Sequence, residues 1–227
     1  MSMGDQTETK QLNNKNHRIT SIIAAYNEEK TIGPIIDVLK SVPIIEQIVV
    51  VSDGSTDRTV DIARSRNVEV VDLISNVGKG GALYRGLEYI RTDVVLLLDA
   101  DLVGLEESHV LSLVHPVTER EADVTIGVFE EGRFATDFAQ KIAPLLSGQR
   151  AIRTDVIQNI SDLEVSRYGV EVAMNRYIRK NGVTMKLVKL PGLTHVMKEE
   201  KMGLMKGLRH RVKMYWEILK NSYGGGG

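Results

Sequence analysis

Four short apolar runs, Ile19 to Ala25, Gln47 to Val51, Val68 to Leu73 and Val94 to Leu98, each break off in a polar cluster, and stretches of helical spacing separate them. No other feature limits the fold as much. Runs this short and this rich in Val and Ile are strand material, and Thr31 to Ser41, Asp57 to Ser65 and Gly80 to Arg91 have the period of crossover helices. The strands are apolar throughout rather than alternately, so both faces of their sheet must be covered, as in parallel sheets. The expected class is therefore α/β, a mostly parallel sheet flanked by helices. Further on, Val124 to Phe129 predicts a strand, Asp137 to Leu146 a short helix, Val170 to Lys180 a helix, and Thr184 to Leu190 a strand running to His195.

Open sheets of this kind hold ligands beyond the carboxyl ends of their strands, and the polar clusters fall there. Strand one leads into Tyr26-Asn27-Glu28-Glu29 and strand two into Ser52-Asp53-Gly54-Ser55-Thr56-Asp57. Strand three leads into Asn76-Val77-Gly78-Lys79-Gly80-Gly81, and strand four into Asp99-Ala100-Asp101. The last cluster is an Asp-x-Asp (DXD) pair aimed into the crevice, whose hard oxygens suit Mg2+ or Mn2+ bridging a diphosphate; taken alone, such a pair also fits a solvated turn. Asp53 has two readings: its carboxylate accepts the N–H donors of a uracil or guanine, or the segment is a turn in which Thr56 or Asp57 caps the next helix. The glycines around Lys79 resemble a phosphate loop, but a Walker A would need Gly at Leu73, and a dinucleotide fingerprint Gly or Ala at Leu83. Lys79 is left either to meet a phosphate or as solvated surface.

Composition narrows the class further. The balance of 29 Lys+Arg against 30 Asp+Glu gives a net charge of -1, so nothing points to a nucleic-acid partner. There is no cysteine, which excludes disulfides, thiolate metal sites and cysteine nucleophiles and fits the cytoplasm. Residues 1–17 are polar, lack the apolar stretch of a signal peptide and read as a disordered leader. A single domain is expected over 18–197, a basic amphipathic helix over 198–222 and a glycine tail over 223–227.

In order along the chain, Ala24-Ala25-Tyr26-Asn27-Glu28, Val51 to Asp57, Asn76-Val77-Gly78-Lys79-Gly80 and Leu98-Asp99-Ala100-Asp101 resemble the motifs of family-two glycosyltransferases of the GT-A fold. The resemblance implies a UDP-sugar donor. Ala25, Tyr26 and Glu28 then border the nucleoside, Asp53 reads the base with Lys79 nearby, Asp99 lies by the ribose with Ala100 beside it, and Asp101 holds the metal. In the second half, Leu146-Ser147-Gly148-Gln149-Arg150, Tyr168-Gly169-Val170-Glu171 and Thr194-His195 resemble glucosyl-3-phosphoglycerate synthases. That likeness implies acceptor contacts at Ser147, Gly148, Arg150 and Tyr168, an acidic residue at Glu171 that positions hydroxyls or acts as a base, and a metal ligand at His195. Catalysis then rests on Asp101, Glu171 and Lys79, with Mg2+ or Mn2+ as cofactor.

The implied acceptor is a small phosphorylated molecule such as 3-phosphoglycerate. Arg133, Lys141, Arg150, Arg153 and Arg167 are the cations near it in sequence, and Arg150, in a Ser-Gly loop, is singled out for phosphate. The chain is much shorter than those synthases, and the tail offers an alternative. Met202, Met205, Leu208, Val212, Tyr215 and Leu219 recur at helical spacing beside Trp216 and a basic excess. Such a helix packs on the domain or on a second subunit of a homodimer, or lies on the inner face of the membrane, where a polyisoprenyl-phosphate or glycolipid would be the acceptor. Two other enzyme classes fit less well. A haloacid-dehalogenase-type phosphatase would use Asp99-Ala100-Asp101-Leu102-Val103 as nucleophile motif but lacks the acidic downstream loop. A nucleotidyltransferase would need a basic glycine loop where this chain has Tyr26-Asn27-Glu28. A scaffold that binds without turnover is the non-catalytic alternative.

Overall fold

The computed structural model describes residues 18–129, 147–160 and 170–196. The expected leader, the helix at 137–146, the tail helix and the glycine tail lie outside them. Alternation begins with β1 (Ile19–Ala25), α1 (Ile32–Ser41), β2 (Ile45–Ser52), α2 (Thr59–Ser65), β3 (Glu69–Asp72), α3 (Lys79–Leu87) and β4 (Val94–Asp99). It continues through β5 (Leu102–Val103), α4 (Glu107–Thr118), β6 (Val124–Phe129), β7 (Arg150–Arg153), α5 (Thr154–Ile157), α6 (Val170–Lys180), β8 (Met185–Leu190) and β9 (Thr194–His195). Among the described residues, seven strands form one sheet in the order β3-β2-β1-β4-β7-β6-β8, and β5 and β9 form a separate pair. Two compact units divide inside β9, Met1–Thr194 and His195–Gly227. The second is described only at His195 and Val196.

Alternate residues of each central strand face opposite ways, and each way they meet helices. Ile19, Ile23, Leu96 and Leu98 pack with Ile32, Ile35, Ile36 and Leu39 of α1 and Val110, Leu113 and Val114 of α4. Ile22, Val95, Leu97, Val124 and Ile126 pack instead with Ala82 and Leu83 of α3 and Val170, Met174 and Ile178 of α6. Full burial of each such side chain contributes about 1.5–3 kcal/mol relative to exposure. The expected continuous apolar runs thus reflect a sheet covered on both faces. β1 pairs in parallel with β2 and β4, and β2 with β3. Ala25 lies opposite Ser52, Ala24 opposite Asp99 and Ser52 opposite Asp72, so the four loops leave the sheet along one edge.

Three features differ from the sequence expectations. α3 spans Lys79–Leu87 rather than Gly80 to Arg91. Sequence alone gives no expectation for α4, where Pro116 sits inside the helix; a capping box between Glu106 and His109 starts it, and Val110, Leu113, Val114 and Val117 bury one face. β7 replaces the expected loop at Arg150 and runs antiparallel to both β4 and β6, which makes the sheet mixed.

Candidate active site

Side chains stitch the loops at the strand ends together. Asn27 takes a positive φ of 54° and accepts through its Oδ1 from the Thr56 N–H at 2.8 Å. The Glu28 N–H donates to Thr59 Oγ1 at 2.8 Å, and the Glu29 N–H to Asp57 Oδ2 at 3.1 Å. Asp57 Oδ1 also accepts from the Thr59 N–H, so the expected capping carboxylate serves both the start of α2 and the first loop. Burial alone would raise the Asp57 carboxyl, but its bonds from Thr59 and Glu29 hold it below the ordinary aspartate value.

The third loop is held by Asp53. Its Oδ1 accepts from the Val77 N–H at 2.7 Å and its Oδ2 from the Gly78 N–H at 3.0 Å, with the residue only 4% exposed. The turn reading of the segment is therefore realised, and a base meeting Asp53 would use lone pairs that remain. Gly54 at φ 71° lets the second loop pass close to the third: a Cβ there would lie 2.8 Å from the Asn76 nitrogen. Ala25 and Ala100 are buried, whereas Tyr26 is exposed on the first loop.

Lys79 opens α3 and turns its Nζ between two carboxylates, Asp99 Oδ1 at 2.5 Å and Glu171 Oε1 at 2.6 Å. Solvated surface is thus the wrong reading for it. Burial would lower its pKa, but the charges of Asp99 and Glu171 outweigh that and hold it above the ordinary lysine value. Glu171 lies in the first turn of α6. Asp99 ends β4 and Asp101 follows it two residues on, and carboxylates are ligands that Mn2+ and Mg2+ accept. The expected metal ligand His195 is the last residue of β9.

Arg150 departs from expectation. It is the first residue of β7, 1% exposed, with Nε donating to the Ser147 carbonyl at 2.9 Å and Nη1 to Asn175 Oδ1 at 2.8 Å. Its guanidinium is committed to the interior and acts on the crevice as a buried charge rather than as an open phosphate clamp. Burial pushes it down to about 10, against the pull of Glu171 and Asp99, so it remains charged at neutral pH. Arg153 is bound to Asp123 and Asp155. Tyr168, Arg133, Lys141 and Arg167 lie outside the described residues.

Gln149 has a contact to which sequence reasoning gave no role: its Nε2 donates to Asp99 Oδ2 at 2.8 Å. Its place in the Ser-Gly-Gln-Arg segment was the only signal. A depression of about 480 Å³ lies at the opposite ends of the strands, lined by Lys40, Gln47, Asn67, Glu69, Arg91 and others. None of its lining residues belongs to the strand-end loops described above.

A GT-A-type α/β domain with an acidic crevice at the carboxyl ends of its parallel strands is the class that fold and site define. The sequence model of glycosyl transferase family 2 matches residues 20–180, and the chain belongs to that family of transferases. It is 35% identical over 115 residues to 4,4'-diaponeurosporenoate glycosyltransferase of Staphylococcus aureus strain N315, a match covering 48% of this chain and 31% of that protein. The same enzyme from strain USA300 is 34% identical over 115 residues. The chain thus spans about a third of the length of these curated relatives. In fold it is similar to glucosyl-3-phosphoglycerate synthase of Mycobacterium tuberculosis in complex with Mn2+, UDP-glucose and phosphoglyceric acid. That structure has a TM-score of 0.68 and 24% identity, over 82% of this chain and 74% of that one. A complex of the same synthase with Mg2+ and UDP gives the same figures.

Proposed function

We propose that the chain transfers a sugar, glucose in the first instance, from a UDP-sugar to a small phosphorylated acceptor such as 3-phosphoglycerate, in a metal-dependent reaction. The observation that carries this reading is the meeting of Asp99, Lys79 and Glu171 at the carboxyl end of β4, with Asp101 two residues beyond. Asp101 and His195 are the residues that would hold Mg2+ or Mn2+, and a bound divalent ion there supplies positive charge to a diphosphate. Lys79 Nζ sits between the Asp99 and Glu171 carboxylates, and a divalent ion would add positive charge beside them for an anionic donor.

Lys79 supports the departing diphosphate as a fixed charge close to Asp99. Tyr26 and Asp53 border the nucleoside, the first as an exposed ring, the second as the buried anchor of the loop beneath it. Glu171, bonded to Lys79, orients hydroxyls of the acceptor or sugar. The test is calorimetric titration of UDP and of GDP, each with and without Mn2+, into wild type and Asp101→Ala. Metal-dependent UDP binding that disappears in Asp101→Ala is the expected result. Failure of both nucleotides to bind under every condition would sink the donor assignment.

A second reading follows from the curated relatives, which are 4,4'-diaponeurosporenoate glycosyltransferases. A polyisoprenyl-phosphate or glycolipid acceptor at a membrane surface is its form for this chain. Among the described residues no helix is long and apolar enough to cross a membrane. Sugar transfer to lipid-phosphate vesicles, with none to phosphoglycerate, would select this reading over the first.

A further inference from the structure

The segment Ser147-Gly148-Gln149 resembles an acceptor loop in sequence, yet its described contacts run to Asp99. We propose that this segment is a positioning device for Asp99 on the donor side of the crevice, with Gln149 fixing the carboxylate. The inference rests on the reading of Asp99 as a donor-side residue. Gln149 is fully buried, and its amide can sit only one way round. Ser147 Oγ donates to Gln149 Oε1 at 2.9 Å, which turns Nε2 toward Asp99, and a carboxylate only accepts. The backbone is held as well: the Gln149 carbonyl accepts from the Gly127 N–H at 2.8 Å, and the Gln149 N–H donates to Ser147 Oγ at 3.3 Å.

Asp99 is thereby gripped on both oxygens, by a cation at Oδ1 and by a neutral donor at Oδ2. Two bonds in different directions stop the carboxylate from rotating. A neutral second donor does so without cancelling the charge that remains after Lys79. Gly148 completes the contact. A Cβ at that position would lie 2.5 Å from both Asp99 oxygens and 2.6 Å from Lys79 Nζ, so the backbone itself rests against the pair. A loop that met only the acceptor would have no need of this fit.

The probe is UDP, titrated with Mn2+ into the full chain as wild type, Gln149→Met, Gln149→Glu and Ser147→Ala, with a thermal melt of each. Gln149→Met keeps the volume and removes the donor; its UDP–Mn2+ affinity is expected to fall about tenfold, in line with a bond to a charged group. Gln149→Glu sets two carboxylates face to face and should lose more. Ser147→Ala frees the amide to turn and should lose a few-fold; it removes only a hydroxyl and carries the test if Gln149→Met does not fold. In each variant the Mn2+ concentration for half-maximal UDP binding should rise. Wild-type affinity and metal midpoint in the folded variants, whether or not the melting temperature falls or the KM of an acceptor rises, would overturn the proposal. Absence of UDP binding by wild type would instead overturn the donor reading on which it rests.

Discussion

Lys79 shows how one side chain changes character between sequence and structure. In a glycine turn it has the local features of a solvated lysine, whereas its Nζ bridges Asp99 and Glu171 across elements far apart in the chain. Because its pKa is raised on folding, the stability it contributes is present in full below its ordinary value and is lost only as pH rises through the raised one. Lys79→Met is therefore expected to lower the melting temperature by the same amount at pH 6 and at pH 9, and to cut turnover of a UDP-sugar about 100-fold. A stability difference that vanished between those pH values would contradict the bridge. Gly148→Ala probes the same place sterically. Asp99 and Lys79 are both pinned, so the new methyl group must break one of their bonds. Overpacking of this kind costs about 1–3 kcal/mol. Misplacement of the reacting groups can cost about 100-fold in rate. A melt and a UDP-release assay on the variant would show a folded protein with a large loss of turnover; wild-type turnover would mean that the crevice opens more than these distances allow.

At the level of elements, the strand ends away from the site have their own clasp. Asp123, just before β6, accepts from Arg153 of β7 at 3.1 Å through Oδ1, and through Oδ2 from the Thr184 N–H at 2.9 Å ahead of β8. The bond from the Thr184 side chain, more than Arg153, holds its carboxyl below the ordinary value against the opposing effect of burial. A lowered pKa gives stability that is present above the ordinary aspartate value of about 3.9 and disappears as pH falls through the folded one. Asp123→Asn should thus melt lower than wild type at pH 5–8, by roughly 1 kcal/mol. Thermal scans should show the two converging below about pH 4; a gap that stayed constant down to pH 2 would exclude the carboxylate as its source. The elements that sequence predicts well are those whose pattern is local. β1 to β4 and α1 to α3 announce themselves by apolar runs and helical period, and the crevice at their ends follows from strand direction. β7 does not, since Arg150 to Arg153 carries arginine at both ends and becomes a strand through antiparallel partners distant in sequence. The same distance hides the buried state of Arg150 and the contact of Gln149 with Asp99. Motif order brings Asp99, Lys79, Glu171 and His195 within view; which way a side chain leaves a mixed sheet is decided by its neighbours.

Across the described part of the first unit, the loops after β1, β2 and β3 do not stand independently. The first is bonded to the second through Asn27, Glu28 and Glu29, and the second to the third through Asp53. The third ends in Lys79, which reaches β4 and α6 through Asp99 and Glu171. A ligand that fixes one loop must therefore restrict the others, and its binding energy enters the stability of the folded state by mass action. UDP with Mn2+ at about 100 times its Kd should add about 2.7 kcal/mol. For a chain of this size that is a rise of roughly 5–10 °C in melting temperature. EDTA and Asp101→Ala should each abolish the rise. Hydrogen exchange measured with and without UDP–Mn2+ then separates coupled loops from a single contact. Amides at 28–29, 56, 59 and 77–78 donate the bonds named above and are expected to gain protection together, over the same range of UDP concentration. Protection confined to one loop, at full occupancy by calorimetry, would show that these bonds open independently and that the linked network does not transmit binding.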